Sequence, residues 1–415
     1  MNANRIALLG CVAVLALALA GGCSNKPKTD AQGFVIDPDF EKNLQAKLLD
    51  AKPGDVIDIP AGKYALSRSL SLTGNGVTIR GAGMDKTILS FARQTSGAEG
   101  MLVTGDDFTL QDLAFEDSKG DALKVNGVKN VVIRRVRAEW TGGGKTSNGA
   151  YGLYPVQVTN VLIEGSVVKG ASDAGIYVGQ SNNIIVRDNR AEGNVAGIEI
   201  ENSSHADVYG NTATGNTGGI LVFNMPNLPV PGSKTRVYRN NVFANNHANF
   251  GAKGSAVSSV PPGSGVIVNS NDEVEIFDND VKDNKTANVI ISSYYSTGFD
   301  TKNGIAAAYD PFPENIYVTG NRFSGGGDDP GGRFVPLKAL GGGRLPDVMW
   351  DGFTNPKLKT PGICVQNGAA KLLNVDGPGK FAHPRIETGM NCAPATRLPE
   401  ISLPAAMTKD SSKPS

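Results

Sequence analysis

Short apolar strands with period-two alternation recur along the chain, each closed by a polar step and a turn. The phrases VTIRGA ending at Ala82, TLQDL at Leu113, VIRRV at Val136, LIEGS at Ser166 and IVRDN at Asn189 are followed by DVYGN at Asn211, VYRN at Asn240, EIFDN at Asn279 and YVTGN at Asn321. The base spacing is 22 to 23 residues, lengthened in some turns by insertions. A second phrase falls 11 residues ahead of several of these points, at Val125, Pro155, Val178, Ile200 and Val268. A unit this short cannot bury its own apolar face, whereas stacked units share one continuous core. Alternation points Ile176 and Val178, Ile198 and Ile200, Ile220 and Val222, and Val266 and Val268 inward. Asn189, Asn211, Asn240, Asn279 and Asn321 share one turn position. Asn tolerates left-handed backbone there, and its amide can bond to the next rung.

A column of amides at one turn predicts an all-β fold: a single-stranded right-handed parallel β-helix. A propeller needs blades of about 40 residues with antiparallel strands. A helical solenoid conflicts with the Val, Ile, Asn and Gly content. At the N-terminal end, Asp39 to Ala51 places Phe40, Leu44, Leu48 and Leu49 at helical spacing, and Pro53-Gly54 stops the helix. An amphipathic helix there is expected to cap the open end of the solenoid. After Asn321 the repeat decays into a glycine-rich stretch, Gly325 to Gly343. The expected organisation is a leader over 1–22, a tether over 23–33, the β-helix with its cap over 34–350, an irregular C-terminal cap over 351–403 and a disordered tail over 404–415.

Composition narrows the classes further. The 415 residues carry 40 Lys+Arg against 40 Asp+Glu, so no basic footprint for nucleic acid is expected. Hydrophobic content of 40% excludes a disordered chain. The 52 glycines and 19% charged residues argue against coiled coils and long helices. Arg5 and the apolar run Ile6 to Ala20 have signal-peptide proportions. Leu19-Ala20-Gly21-Gly22-Cys23 resembles a bacterial lipobox, which implies lipidation of Cys23 and a membrane link through that anchor. Ser24 rather than Asp at the next position implies outer-membrane sorting, with the body facing the periplasm or the cell surface. Cys11 and Cys23 belong to the leader region, which leaves Cys364 and Cys392. In an exported protein these most simply form one disulfide, and its loop contributes about 3–4 kcal/mol in the chain-entropy model. A metal pair is the alternative, but no Cys or His cluster accompanies it. The chain has no C-x-x-C-H, so it binds no c-type haem itself.

The opening KPGDVIDIPAGKY resembles that of exported pectate-lyase-like β-helix proteins. The stretch Tyr151 to Phe223, with YGLYPVQVTNVLIEG, DAGIYVGQSNNIIVRDN, AEGNVAGIEIENS and NTGGILVF, resembles a bacterial family of parallel β-helix repeat lipoproteins, together with the cap helix and the late Cys pair. That resemblance implies an exported c-type cytochrome-like partner and supplies no catalytic residues. The wider superfamily holds pectate and alginate lyases, polygalacturonases, mannuronan epimerases, phage tailspikes and non-enzymatic adhesins, so fold alone does not decide function.

The rung register projects two columns outward from the sheet that contains Val178. One is Lys124, Tyr154, Tyr177, Glu199, Leu221 and Ile267; the other is Asn126, Val156, Gly179, Glu201, Phe223 and Asn269. Tyr154, Tyr177, Glu199, Glu201 and Phe223 make a candidate sugar-binding groove, with a gap at Gly179. Glu199, Glu201 and Lys124 are candidate catalytic groups: paired carboxyls suit glycoside hydrolysis. Lyase or epimerase chemistry needs a base and a cation, and Lys124, Tyr154, Tyr177 or His205 could supply the base. Glu199, Glu201 and Asp173 could hold Ca²⁺. The plainer reading of the same residues is a solvated sheet face. His205 and His247 read as surface residues. Tyr309-Asp310-Pro311-Phe312-Pro313 lacks the His and second Asp of the epimerase phrase it resembles. The insertions Asn224–Ser233 and Asn249–Ser264 are expected over the same end of the face, walling a groove. The leading functional expectation is an exported lipoprotein that presents this face to a ligand or partner. The alternative is a polysaccharide-active enzyme: a uronan lyase, a C5-epimerase or a glycoside hydrolase.

Overall fold

A computed structural model describes residues 27–297, 309–387 and 397–410. The leader, Cys23 and Cys392 lie outside the described residues. Over these residues the chain winds as a parallel β-helix of two long sheets, one of 12 strands and one of 19. A representative coil runs Ala174–Gly179, Asn182–Arg187 and Arg190–Glu192, and the next begins at Ala196. Each strand pairs in parallel with its counterpart one coil away; Ile176 meets Ile198 and Val178 meets Ile200. The inward Ile176, Val178, Ile198, Ile200, Ile220, Val222, Val266 and Val268 are all fully buried, as the alternation requires.

The asparagine column is continuous. Asn189 donates from its backbone N–H and side-chain amide to Asn211 Oδ1, both at 3.0 Å. Asn211 does the same to Asn240, Asn240 to Asn279, and Asn279 to Asn321. The column begins with Ser166 and ends on Asn367. A second ladder, Asn194, Asn216, Asn245 and Asn284, runs at the next turn and has the same pattern of bonds. These amides are buried, and each Nδ2 is also tied to a backbone carbonyl, as Asn240 is to Val208.

Helix α1 (Phe40–Asp50) lies where the spacing predicts it, with Leu44 and Leu48 in the core and Leu49 exposed. Two segments differ from expectation. Residues 27–33 do not form a free tether: Thr29 bridges Val35, and Asp30 accepts hydrogen bonds from the Gln32 and Phe34 N–H groups. The cations of Lys63 and Arg93 lie 5.3 and 4.6 Å from the centre of the Phe34 ring. Residues 404–410 are likewise packed rather than disordered. The segment 397–410 lies along the outside of the larger sheet and contains a short helix, α2 (Ala405–Thr408). It buries Leu403 and Met407 against Val132, Leu162 and Ile185. Two guanidiniums that face out of that sheet bind its carbonyls: Arg236 reaches Leu398, and Arg134 reaches Met407 and Lys409. A tail that looks polar in sequence is held because it satisfies these half-paired buried arginines.

Strands of both sheets continue past residue 350, to Cys364–Gln366 and Leu372–Asn374, and the antiparallel strand Arg385–Glu387 closes the shorter sheet. Cys364 is buried and disulfide-bonded.

Asn240→Ala orphans the Asn211 donors and the Val208 carbonyl inside a dry turn. Buried orphans cost about 1–3 kcal/mol each, so urea unfolding should show a loss of about 3 kcal/mol or more, against a loss within about 0.5 kcal/mol for the exposed Asn182→Ala.

Candidate functional site

The outward columns read from the sequence are the columns of the structure. Lys124 pairs with Tyr154, Tyr177 with Glu199, Glu199 with Leu221, and Leu221 with Ile267. Asn126 pairs with Val156, Val156 with Gly179, Gly179 with Glu201, Glu201 with Phe223, and Phe223 with Asn269. Successive members are about 4.8 Å apart. The face is not a solvated surface, however. Glu199 is 1% exposed, Tyr177 3% and Phe223 4%. Tyr154, Glu201, Asp173 and Lys124 are half-buried.

The insertions account for this burial. They lie at opposite ends of the strands, not at one end as expected: one follows Phe223 and the other precedes Ser264. The second packs Val257, Val260 and Phe250 onto Ala174, Ala196, Leu221 and Ile267. Thr146 Oγ1 donates to the Phe250 carbonyl at 2.8 Å and ties the insertion to the loop before Tyr151. On the other side, Asn202 Nδ2 bonds Asn224 Oδ1 and the Met225 and Val230 carbonyls. Tyr309 Oη donates to the Asn224 carbonyl at 2.6 Å, so the Tyr309-Asp310 phrase borders the same site.

The expected gap at Gly179 is filled. A Cβ there would come within 2.3 Å of the Tyr177 ring. The missing side chain lets that ring fold across the next strand, and Tyr177 Oη donates to Glu201 Oε1 at 2.7 Å. Tyr151, Tyr154 and Tyr177 pack as a trio with ring centroids 4.5 to 5.0 Å apart. The Lys124 ammonium sits 5.2 Å from the centre of the Tyr154 ring.

Alternation alone misses Tyr151 and Asp121. Gly152, Gly175 and Gly197 form a column at which a Cβ would strike the interior, and Leu153, the next residue after Gly152, is also inward. Two consecutive inward positions return Tyr151 to the outer face. Asp121 Oδ1 accepts the Tyr151 N–H at 3.1 Å. The glycines that recur one residue before the inward Leu153, Ile176 and Ile198 were the available signal.

Four carboxyls therefore gather beside three phenols. Burial raises Glu199 well above the ordinary range, and Glu201 and Asp173 raise it further. Burial also raises Glu201, against the hydrogen bonds from Tyr177 and Glu199 that hold it down. Asp173 is pushed up to about 8 by burial, then by Glu201 and Asp121. Asp121 reaches about 6 by burial, opposed by the Tyr151 N–H and Lys124. Burial takes the Tyr177 phenol far above its usual value and Tyr154 to about 12. Both Glu199 oxygens are buried without a well-formed hydrogen bond, although the side chain leans on Glu201. Burial thus favours a proton on Glu199 more strongly than on Glu201, which accepts from Tyr177.

Other expected groups lie elsewhere. His205 belongs to the larger sheet, where its Nδ1 is 3.0 Å from Asn182 Nδ2, so it is no base for this face. His247 packs edge-on against Phe250. Phe223 is covered rather than presented, and it lines an apolar cavity with Val260, Ile267, Ile290 and Met349. The acid at that cavity, Asp351, already accepts four hydrogen bonds, from Ser293, Ser296 and the Phe353 N–H. Among the described residues no three His, Cys, Asp or Glu side chains have the geometry to hold a metal ion.

A family model described as a right-handed β-helix region matches residues 145–323, and one described as rhamnogalacturonase A/epimerase, pectate lyase-like, matches 42–224. Together with the observed coils, these matches show that the fold is a right-handed parallel β-helix. No curated protein matches the sequence. Among solved structures, the A-module of mannuronan C-5 epimerase AlgE4 from Azotobacter vinelandii is 19% identical with a TM-score of 0.52, over 76% of this chain and 86% of that one. DFA-IIIase from Arthrobacter chlorophenolicus A6 in complex with GF2 is 13% identical with a TM-score of 0.48, over 81% and 83%. Alginate lyase from Paenibacillus sp. FPU-7 is 15% identical with a TM-score of 0.39, over 69% and 96%. At these identities the likeness to the epimerase module is one of fold, and the other two scores carry no argument.

Asp173 keeps its proton in the folded chain between its unfolded value near 4 and about 8, while the unfolded chain loses it. The native state then binds more protons, so stability falls as pH rises through that window. Thermal unfolding from pH 5 to 9 should show this fall, and Asp173→Asn should flatten it and raise Tm most at the alkaline end.

Proposed function

We propose that this chain is a polysaccharide-active enzyme that works on the outer face of the shorter sheet, with Glu199 and Glu201 as its proton-transfer pair. The observation that carries the reading is Glu199: a carboxyl with both oxygens buried, leaning on a second carboxyl that Tyr177 fixes. Burying a pair of carboxyls is costly, and such perturbed groups cluster at functional sites. Its raised proton affinity suits a general acid at neutral pH, and Glu201 suits the base. The pectate-lyase-like model and the name of the mannuronan C-5 epimerase module of similar fold agree with this reading. Tyr177 positions Glu201, and Lys124 with Tyr154 borders the substrate path.

The same proposal places the enzyme outside the cytoplasm on a lipid at Cys23, a reading that rests on the N-terminal sequence alone. A c-type cytochrome-like partner rests on family resemblance alone, and no contact in the fold calls for one. Ca²⁺ forms no part of the proposal.

With a glycan that the protein turns over, Glu199→Gln and Glu201→Gln should each lower kcat by about 100-fold or more with the fold unchanged by circular dichroism. Tyr177→Phe should lower it less and shift the acidic limb of the pH profile. Full activity in both Gln variants would contradict the site.

A further inference from the structure

Burial along the outer face of the shorter sheet is lopsided about Glu199. On the N-terminal side, Ser71, Leu102, Lys124 and Tyr154 stand in line on successive coils, and all four are half-buried. On the C-terminal side the same column continues through Leu221, Ile267, Met349 and Leu373, and all four are buried. Ile290, between Ile267 and Met349, is half-buried at the apolar cavity. The column beside it changes at the same coil: Glu201 is half-buried, and the next members, Phe223 and Asn269, are buried.

Chain segments outside the repeat make this wall. Val257 and Val260 pack onto Leu221 and Ile267, and Phe334 and Leu337 pack onto Met349 and Leu373. Both flanks of the site are closed as well. On one, Phe250 is tied to Thr146. On the other, Asn202 bonds Asn224 and Met225, and Tyr309 bonds the Asn224 carbonyl. The approach that remains runs along the solenoid from Ser71 to Glu199. That is five coil spacings, about 24 Å, long enough for several sugar residues laid end to end.

Resting on the enzymatic reading above, we infer that the site takes its glycan by a chain end and acts there, not at interior positions. The terminal sugar comes to Glu201, with Glu199 behind it and the Leu221–Ile267 wall ahead. The rest of the glycan runs back over Tyr154, Lys124 and Leu102. An interior stretch cannot be seated, because sugars beyond Glu201 would need the space that Phe223, Val257 and Val260 fill. A clash of this kind rejects the wrong substrate without adding affinity for the right one. Two segments foreign to the repeat thus set where along a glycan the enzyme works, and the coils themselves supply the track.

The test incubates the full-length protein in detergent with alginate, polygalacturonate, β-glucan, mannan, xylan and inulin, and then with hexasaccharides of each polymer that it turns over. Product masses and sugar configuration are read at low conversion. The expected result is change confined to one end of the hexasaccharide, with one short product size from the first turnovers. Terminal positions should exceed interior ones in kcat/KM by at least about tenfold. Trimming the wall with Val257→Ala and Val260→Ala together should shift products toward interior positions. Where the trimmed chain fails to fold, the product pattern of the unmodified protein decides alone. A ladder of interior products from the unmodified protein would overturn the chain-end inference and leave the enzymatic reading standing. No turnover of any of the six polymers would overturn both.

Discussion

Every coil must close at the same height as its neighbours, because each strand finds its hydrogen-bond partners only on the coils above and below. That constraint is met at two turns by side chains rather than by backbone alone. The two buried asparagine columns bond coil to coil, and each amide also satisfies a carbonyl the turn would otherwise orphan. With the turns locked, the register of both sheets follows, and with it the stacking of unlike side chains into fixed outer columns. Insertions can then enter between coils without disturbing that register. The chain adds long segments after Phe223 and before Ser264, yet Glu201, Phe223 and Asn269 stay in line.

That rigidity makes a costly site tolerable. Four acids and three phenols converge in a poorly solvated place, where burial alone raises most of their proton affinities. A flexible surface would spread such groups apart. Here Tyr177 cannot swing away, since its ring occupies the space left by Gly179, and its hydroxyl fixes Glu201. The Phe250–Val260 insertion covers Leu221 and Ile267, the next outward residues in the column of Glu199. The opposite sheet solves the reverse problem. Two of its outward arginines, Arg134 and Arg236, are paired with acids and bound by carbonyls of the chain's own C-terminal segment.

The repeating parts were legible because each rung votes for the same answer. Alternation placed Lys124, Tyr154, Tyr177, Glu199 and Glu201 in their columns, and the spacing of Asn189, Asn211, Asn240, Asn279 and Asn321 located the turn. What alternation could not show was a break in its own rule. The inward glycine column puts Tyr151 and Asp121 on the outer face, and the second asparagine ladder sits five residues after the first, outside the recurring phrase. Burial of the face was also hidden, because it depends on where two non-repeating insertions fold back. The packed C-terminal segment was hidden for a related reason: its polar composition hides Leu403 and Met407, and its stability lies in distant arginines.

The account stands on a proton that Glu199 holds at neutral pH. Infrared difference spectroscopy between the protein and Glu199→Gln, in ordinary and heavy water, reads it directly. The predicted result is a protonated-carboxyl C=O band at pH 7 that shifts on deuteration and is missing from the variant. A spectrum at pH 7 in which Glu199 contributes only carboxylate bands would contradict the account.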